Sequence, residues 1–369
     1  MKKENCSRKW HIVVVVITLM AFSVLCWVNF FRSLAAPEVD LDLSYNVDQM
    51  IDDFDAMWYE SMYEKAEITK ADMLYTYYAT GQISSVQVAM GKQKWLFYKT
   101  VTDGNPIADY EGTNRYQLQD MENILNNVLQ TQTKMEERNI KFAIVIAPNK
   151  ENVYSEYMSD SYVHAEISAT DELISYLQEN GANIVSPKEE LLNLKKDYQL
   201  YYKYDTHWNQ LGAYIGAKSV LDIWNIIKPE LSEREISSEA LYGKYHYHGE
   251  DDLAKLVGLR ELVFNDEKDY IVGGTKLMDW NQLSVDEINH QAAYFNNPEA
   301  DIQASLLLVG DSFGSSMIPS LRETFSDVYV IHRNYYTSHD LDDIQPDYMI
   351  AEYVERYSSS LGEISLFVK

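Results

Sequence analysis

The sequence predicts an α/β domain, a parallel sheet covered by helices on both faces, preceded by one N-terminal transmembrane helix. Three observations carry this. Short, wholly apolar runs recur: KFAIVIAP at 141–148, ANIVSP at 182–187, SLLLVGDS at 305–312, DVYVIH at 327–332 and DYMIAEY at 347–353. Strands that are apolar along their whole length are covered on both faces, as in parallel sheets. Amphipathic helical patterns separate the first of these runs, and residues 12–31 form an uncharged stretch, where about 20 apolar residues suffice to span a bilayer.

From the N-terminus, Lys2, Lys3, Arg8 and Lys9 precede IVVVVITLMAFSVLCWVNFF, and an acidic stretch, APEVDLD, follows Arg32. Positive charge stays on the cytoplasmic side, so the expected topology is a single-pass anchor with the C-terminal part extracytoplasmic. The alternative is a cleaved signal peptide with SLA at 33–35, releasing a secreted protein. The length of the run and the intervening Arg32 favour the anchor. The expected divisions are 1–35 as tail and anchor, 36–84 as an acidic helical stalk or cap, and 85–369 as the catalytic domain. Within the last, 231–300 is a probable insertion.

GKQKWLFYKT at 91–100 reads as a Gly turn and a short strand. Leu118, Met121, Leu125, Val128 and Met135 recur at helical spacing. DELISYLQENG at 171–181 is a helix ended by Gly181, and LGAYIGAKSVLDIWNII at 211–227 is one stopped before Pro229. DYIVGGTKLM at 269–278 suggests a hairpin across its Gly-Gly pair.

Composition narrows the function. Hydrophobic residues make up 46% and charged residues 24%, an ordinary globular mixture. A net charge of −26 repels nucleic acid, so no nucleic-acid partner is expected. The 29 Tyr and 7 Trp would suit stacking on sugar faces as well as an aromatic core. Cys6 and Cys26 are the only cysteines and both precede the external part. That part has no disulfide framework, thiolate nucleophile or cysteine metal site.

Two stretches carry chemistry. In GDSFGSS, Ser312 ends a strand and opens a helix, where unpaired backbone N–H groups can hold an oxyanion and Gly310 and Gly314 permit close approach. The plainer alternative is that Asp311 or Ser312 only caps the helix. A serine needs a base. Of the eight histidines, His207 in KYDTHWN stands two residues after Asp205, which can orient its ring for proton transfer from Ser312. The plainer alternative there is an Asp cap and a packed His. His246 and His248 are two residues apart, weak grounds for a metal site. His332 and His339 follow a strand and could line the same rim.

GKQKWLFY at 91–98, APNK at 147–150, DTHW at 205–208 and GDSF at 310–313 occur in that order. In these four elements the chain resembles the SGNH-hydrolase-like family of alginate O-acetylation proteins and their DHHW relatives, over roughly residues 85–357. The resemblance implies an SGNH-hydrolase-like, flavodoxin-like sheet in permuted order, with the Asp/His element before the Ser element. It implies Ser312 as nucleophile, His207 as general base and acid, and Asp205 as the residue that orients it. Arg333, Asn149 and Lys150 stand at strand ends and are expected to contact substrate. The implied function is a membrane-anchored, extracytoplasmic O-acetyltransferase that modifies hydroxyls of a cell-surface or secreted polysaccharide through an acyl-serine. The implied partner is a membrane-bound O-acyltransferase that supplies the acetyl group; no metal or other cofactor is required. The acidic body departs from a polyanionic acceptor and favours a neutral or amine-bearing glycan. A carbohydrate acetyl-esterase with the same triad, and a non-catalytic glycan-binding protein, are the competing readings.

Overall fold

Two short strands, β1 (Val88–Met90) and β2 (Leu96–Tyr98), pair antiparallel, and six further strands form the central sheet. From edge to edge these are β4 (Ile184–Val185), β3 (Lys141–Ala147), β10 (Tyr348–Val354), β8 (Ile302–Gly310), β9 (Phe325–His332) and β7 (Ala292–Asn296). The structure, a computed structural model, describes residues 65–240, 251–273 and 292–368, together with Met20, Val24 and Val28. All neighbouring strands of this sheet run parallel except β7, which lies antiparallel on the outside of β9. The architecture is the expected α/β one, with a mostly parallel sheet.

Alternate residues of each strand feed two cores, because successive side chains point to opposite faces. On one face Ala143, Val145, Leu306, Leu308, Val328, Val330 and Ile350 pack with Leu211, Ile215 and Val220 of the helix Gln210–Asp222 and with Leu321 of the helix Ile318–Thr324. On the other face Phe142, Ile144, Leu307, Val309, Met349 and Ala351 meet Ile124, Val128 and Met135 of the helix Leu118–Glu137. Leu173 and Leu177 of the helix Ala169–Glu179, and Leu361 and Ile364 of the C-terminal segment, complete that layer. The five parallel strands therefore sit between apolar layers, which explains their largely apolar runs, while β7 at the edge is only half-buried.

Two boundaries differ from expectation. The helix that opens at Gln210 ends at Asp222, before Trp224, and Asn225 then takes a left-handed conformation. The helical stretch after Ser312 is two pieces, Ser312–Ser316 and Ile318–Thr324, broken before Pro319, which lacks the N–H a continuous helix needs. β6 (Lys268–Val272) pairs antiparallel with β5 (Ile236–Ala240), a partner that precedes it by some thirty residues. Residues 274–291, the second half of the expected hairpin, lie outside the described residues.

The chain divides into two compact units at Ala79 and Thr80. The helix Lys65–Thr80 falls within the stretch 36–84 expected to form a stalk or cap. The expected anchor at 12–31 lies outside the described residues apart from Met20, Val24 and Val28, which are helical. Among the described residues no helix is long and apolar enough to cross a membrane.

Candidate active site

β8 and β10 are adjacent and parallel, and their carboxyl ends carry Gly310 and Glu352. The chain turns sharply after β8. Asp311 caps the short helix Ser312–Ser316, its carboxylate accepting from the Phe313 N–H at 2.9 Å. The capping alternative is thus realised by Asp311, and it leaves the Ser312 hydroxyl available. The Ser312 backbone N–H has no hydrogen-bond partner among the described residues.

Glu352 fixes this turn from below. It is fully buried, and its Oε2 accepts from the Asp311 N–H at 2.9 Å and the Gly314 N–H at 3.0 Å. Burial, then the neighbouring Asp311 charge, push its pKa well above the usual carboxylate range. A Cβ added at Gly310 would lie 2.7 Å from Glu352 Oε2, and one at Gly314 2.9 Å from the same oxygen. Gly310→Ala is therefore expected to destabilise the fold by about 1–3 kcal/mol through overpacking. Urea denaturation of the two proteins measures this, and a midpoint equal to wild type would contradict the close fit.

His207 arrives on the loop between the helices Lys188–Leu194 and Gln210–Asp222. Asn209 caps that helix, its Oδ1 accepting from the N–H groups of Leu211 and Gly212 at 3.0 and 3.2 Å. Asp205 is thereby free of capping duty. Trp208, fully buried, donates from its indole to the Phe313 carbonyl at 3.1 Å and packs edge-on against the Phe313 ring. Gly216 makes room for it, since a Cβ there would lie 2.6 Å from the indole. The aromatic residues that end DTHW and GDSF thus latch two loops a hundred residues apart.

The latch closes a hydrogen-bonded line. Ser312 Oγ lies 2.6 Å from His207 Nε2, and His207 Nδ1 lies 2.6 Å from Asp205 Oδ1. Asp205 Oδ1 also accepts the His207 backbone N–H at 2.9 Å, and Oδ2 accepts that of Asp252 at 2.9 Å. The Asp205 side chain is 1% exposed and that of His207 13%. Burial would raise Asp205, but the His207 charge and these hydrogen bonds hold it far below the usual range. Burial would lower His207, but the Asp205 charge and hydrogen bond outweigh it and raise its pKa. A carboxylate on Nδ1 fixes the tautomer that leaves Nε2 able to take the serine proton.

Asp205, His207 and Asp252 bring three potential metal-ligand atoms within 4.8 Å of one another. Asp205 and His207 already spend those atoms on hydrogen bonds to each other and to Ser312. His246, His248 and His290 lie outside the described residues. His332 ends β9 and stacks edge-on against Tyr335, while His339 is exposed on the helix Ser338–Ile344.

The three expected substrate contacts divide. Arg333 stands at the strand ends beside the nucleophile turn: its N–H donates to the Gly310 carbonyl at 2.8 Å, and its guanidinium lies 4.4 Å from the Tyr357 ring centre. Asn149 and Lys150, expected on a solvent-facing rim, are instead buried, each 1% exposed. Lys150 Nζ donates to the carbonyls of Tyr202, Lys203 and Asp205 at 3.2, 3.3 and 2.5 Å, clamping the loop that leads to His207. The Asn149 N–H donates to Glu355 at 2.7 Å, tying the end of β3 to the end of β10. Sequence reading placed both correctly at a strand end. It missed that the 202–205 loop covers that end.

Arg356 escaped sequence reading. Its guanidinium lies 5.6 Å from the Phe313 ring centre, 5.7 Å from that of Tyr98 and 5.2 Å from that of Tyr357. The strand-end signal that singled out Arg333 applies equally to Arg356, two residues past β10.

A serine, histidine and aspartate joined in line on a mostly parallel α/β sheet fit the class of SGNH-hydrolase-like domains. Residues 88–327 match the family model described as SGNH hydrolase-like domain, acetyltransferase AlgX. The match spans more than half of the chain, and the chain belongs to this family. No curated protein sequence matches it. Among solved structures, Bacillus cereus PatB1 carrying a sulfonyl adduct is similar over 76% of this chain and 98% of that one, with TM-score 0.51 and 14% identity. A DHHW family protein from Eubacterium siraeum is similar over 67% of this chain and 90% of that one, with TM-score 0.49 and 15% identity. The O-acetyltransferase domain of Pseudomonas putida AlgJ is similar over 75% of this chain and 98% of that one, with TM-score 0.44 and 14% identity. At such identities a likeness speaks for the fold.

Proposed function

We propose that the chain is a membrane-anchored, extracytoplasmic O-acetyltransferase that acetylates hydroxyls of a cell-surface or secreted polysaccharide. The observation that carries this reading is the unbroken line from Asp205 through His207 to Ser312, two hydrogen bonds of 2.6 Å each. Ser312 Oγ attacks the acetyl carbonyl of the donor and passes its proton to His207 Nε2. The Ser312 N–H receives the oxyanion, and Asp205 stabilises the imidazolium. The imidazolium then gives its proton to the leaving oxygen, and the acetyl group remains on Ser312. In the second half, a sugar hydroxyl gives its proton to Nε2 and takes the acetyl group, and the imidazolium returns that proton to Ser312 Oγ as the acyl bond breaks.

The family supports acetyl transfer over other acyl chemistry. The donor is a membrane-bound O-acyltransferase, and the acceptor is a neutral or amine-bearing glycan, in keeping with a net charge of −26. Arg333, beside the nucleophile turn, contacts the acyl or sugar group.

The full chain in detergent, given p-nitrophenyl acetate with neutral, amine-bearing and anionic oligosaccharides, tests this. Mass spectrometry is expected to find acetyl on a neutral or amine-bearing oligosaccharide, formed faster than free acetate. Acetate as the sole product would replace transfer by esterase activity, and transfer to the anionic glycan alone would overturn the acceptor assignment.

A further inference from the structure

A second carboxylate reaches the imidazole from the 231–300 stretch. Asp251 adopts a left-handed backbone conformation, φ 55° and ψ 51°, and its buried carboxylate accepts from Arg260 Nε at 3.0 Å. That bend turns the N–H of Asp252 onto Asp205 Oδ2 at 2.9 Å. The Asp252 side chain reaches back in turn. Its Oδ1 accepts the Thr206 N–H at 2.8 Å and its Oδ2 the Thr206 hydroxyl at 2.6 Å. The same hydroxyl oxygen lies 3.3 Å from His207 Nδ1, and Asp252 Oδ2 itself lies 4.0 Å from that nitrogen. Two residues further on, the Ala254 N–H donates to the Tyr204 carbonyl at 3.1 Å. The segment 252–254 is therefore laced to 204–206, on both sides of the carboxylate that orients the base.

We infer that Asp252 is a positioning residue of the active site, which holds the turn 205–207 in register and, through Thr206 and its own charge, favours the imidazolium that forms when Ser312 gives up its proton. This rests on the reading of the site as an acyl-transfer centre. It gives the 231–300 stretch a task in the chemistry, to complete the setting of the base from outside the four sequence elements.

The charges around the ring are identifiable. Asp205 and Asp252 favour the imidazolium, and Arg356, from the segment after β10, opposes it. Desolvation, then the Asp205 charge, raise Asp252 to about 6, against His207 and Lys150, which lower it. Asp252 is thus ionised in the neutral range, where the base must work. Asp251 is engaged by Arg260, and Glu267 accepts from the N–H of Tyr204 at 3.1 Å.

Asp252→Asn keeps the side-chain shape and removes the charge. The experiment follows the His207 ring by NMR in histidine-labelled full-length protein, assigned with His207→Gln, and runs nitrophenyl acetate kinetics over the same pH range. The variant's imidazole is expected to titrate about half a unit or more below wild type. The acid-side midpoint of kcat/KM is expected to move with it, while KM changes little. A ring that titrates with wild type overturns the inference. The NMR readout needs no turnover, so it stands even if the wild type transfers no acyl group. Should Asp252→Asn fail to fold, Thr206→Val removes the bridging hydroxyl alone. It is expected to lower kcat several-fold, and an unchanged kcat overturns the inference.

Discussion

Ser312→Ala is expected to lower the kcat of nitrophenyl acetate turnover by about 10⁴-fold or more, with His207→Ala close behind. The substitution removes one oxygen, the only atom of the serine in line with the His207 ring, and leaves the turn that carries it intact. Glu352 and Asp311 bind that turn through backbone N–H groups, which alanine retains. Folding should be unchanged, so the loss is chemical. Because His207 is raised above its ordinary 6.5, its neutral, proton-accepting form grows as pH rises through a point above 6.5. Wild-type kcat/KM is therefore expected to climb on the acid side through that point and then level off. The residual rate of Ser312→Ala should lack this limb. A burst of nitrophenol equal to the enzyme added, seen in wild type and absent from the variant, would locate the acyl group on Ser312. A variant as fast as wild type would remove this site from the reaction.

Lys150→Met is expected to destabilise the protein by roughly 2–4 kcal/mol, the scale of stripping one charged donor from several buried acceptors. Nζ is the common donor for three carbonyls of the 202–205 loop, and methionine fills the volume but leaves the three oxygens without it. The loop end nearest Asp205 should relax, and an ångström of displacement there can cost about a hundredfold in rate. The expected signature is a lowered kcat with an unaltered KM for a glycan acceptor. A stable variant whose glycan KM rises would instead make Lys150 a substrate contact. The pH dependence of stability gives a second check. Desolvation depresses Lys150 to about 8, against its ordinary 10.5. Between those values the unfolded chain binds the proton and the folded chain does not, so this contribution to stability rises with pH. Lys150→Met should lose that rise.

Both expectations turn on side chains whose roles the sequence and the fold reveal to different degrees. Ser312, His207 and Asp205 were legible because each stands in a short motif whose residue types suit one chemistry. Their meeting was not legible, since it depends on β8 lying beside β10 and on Trp208 reaching the Phe313 carbonyl. Lys150 shows the reverse. A lysine after an apolar strand reads as a rim residue, because nothing local announces that three carbonyls from a loop fifty residues away will descend on it. β7 was missed for a related reason. AAYFN is a short half-buried edge strand, and an edge strand with one partner needs no unbroken apolar run.

By itself, the sequence determined the layered α/β class, the strand ends at which polar residues gather, and the serine and Asp/His elements. Those are local properties: period, apolar length and the chemistry of neighbouring residues. Only the tertiary structure decided which groups meet. It set Ser312 2.6 Å from His207, buried Lys150 beneath the 202–205 loop and Asn149 against Glu355, and brought Asp252 against Thr206. The physical reason is that buried donors and acceptors must find partners wherever the folded backbone leaves them, and those partners are set by the order of strands in the sheet.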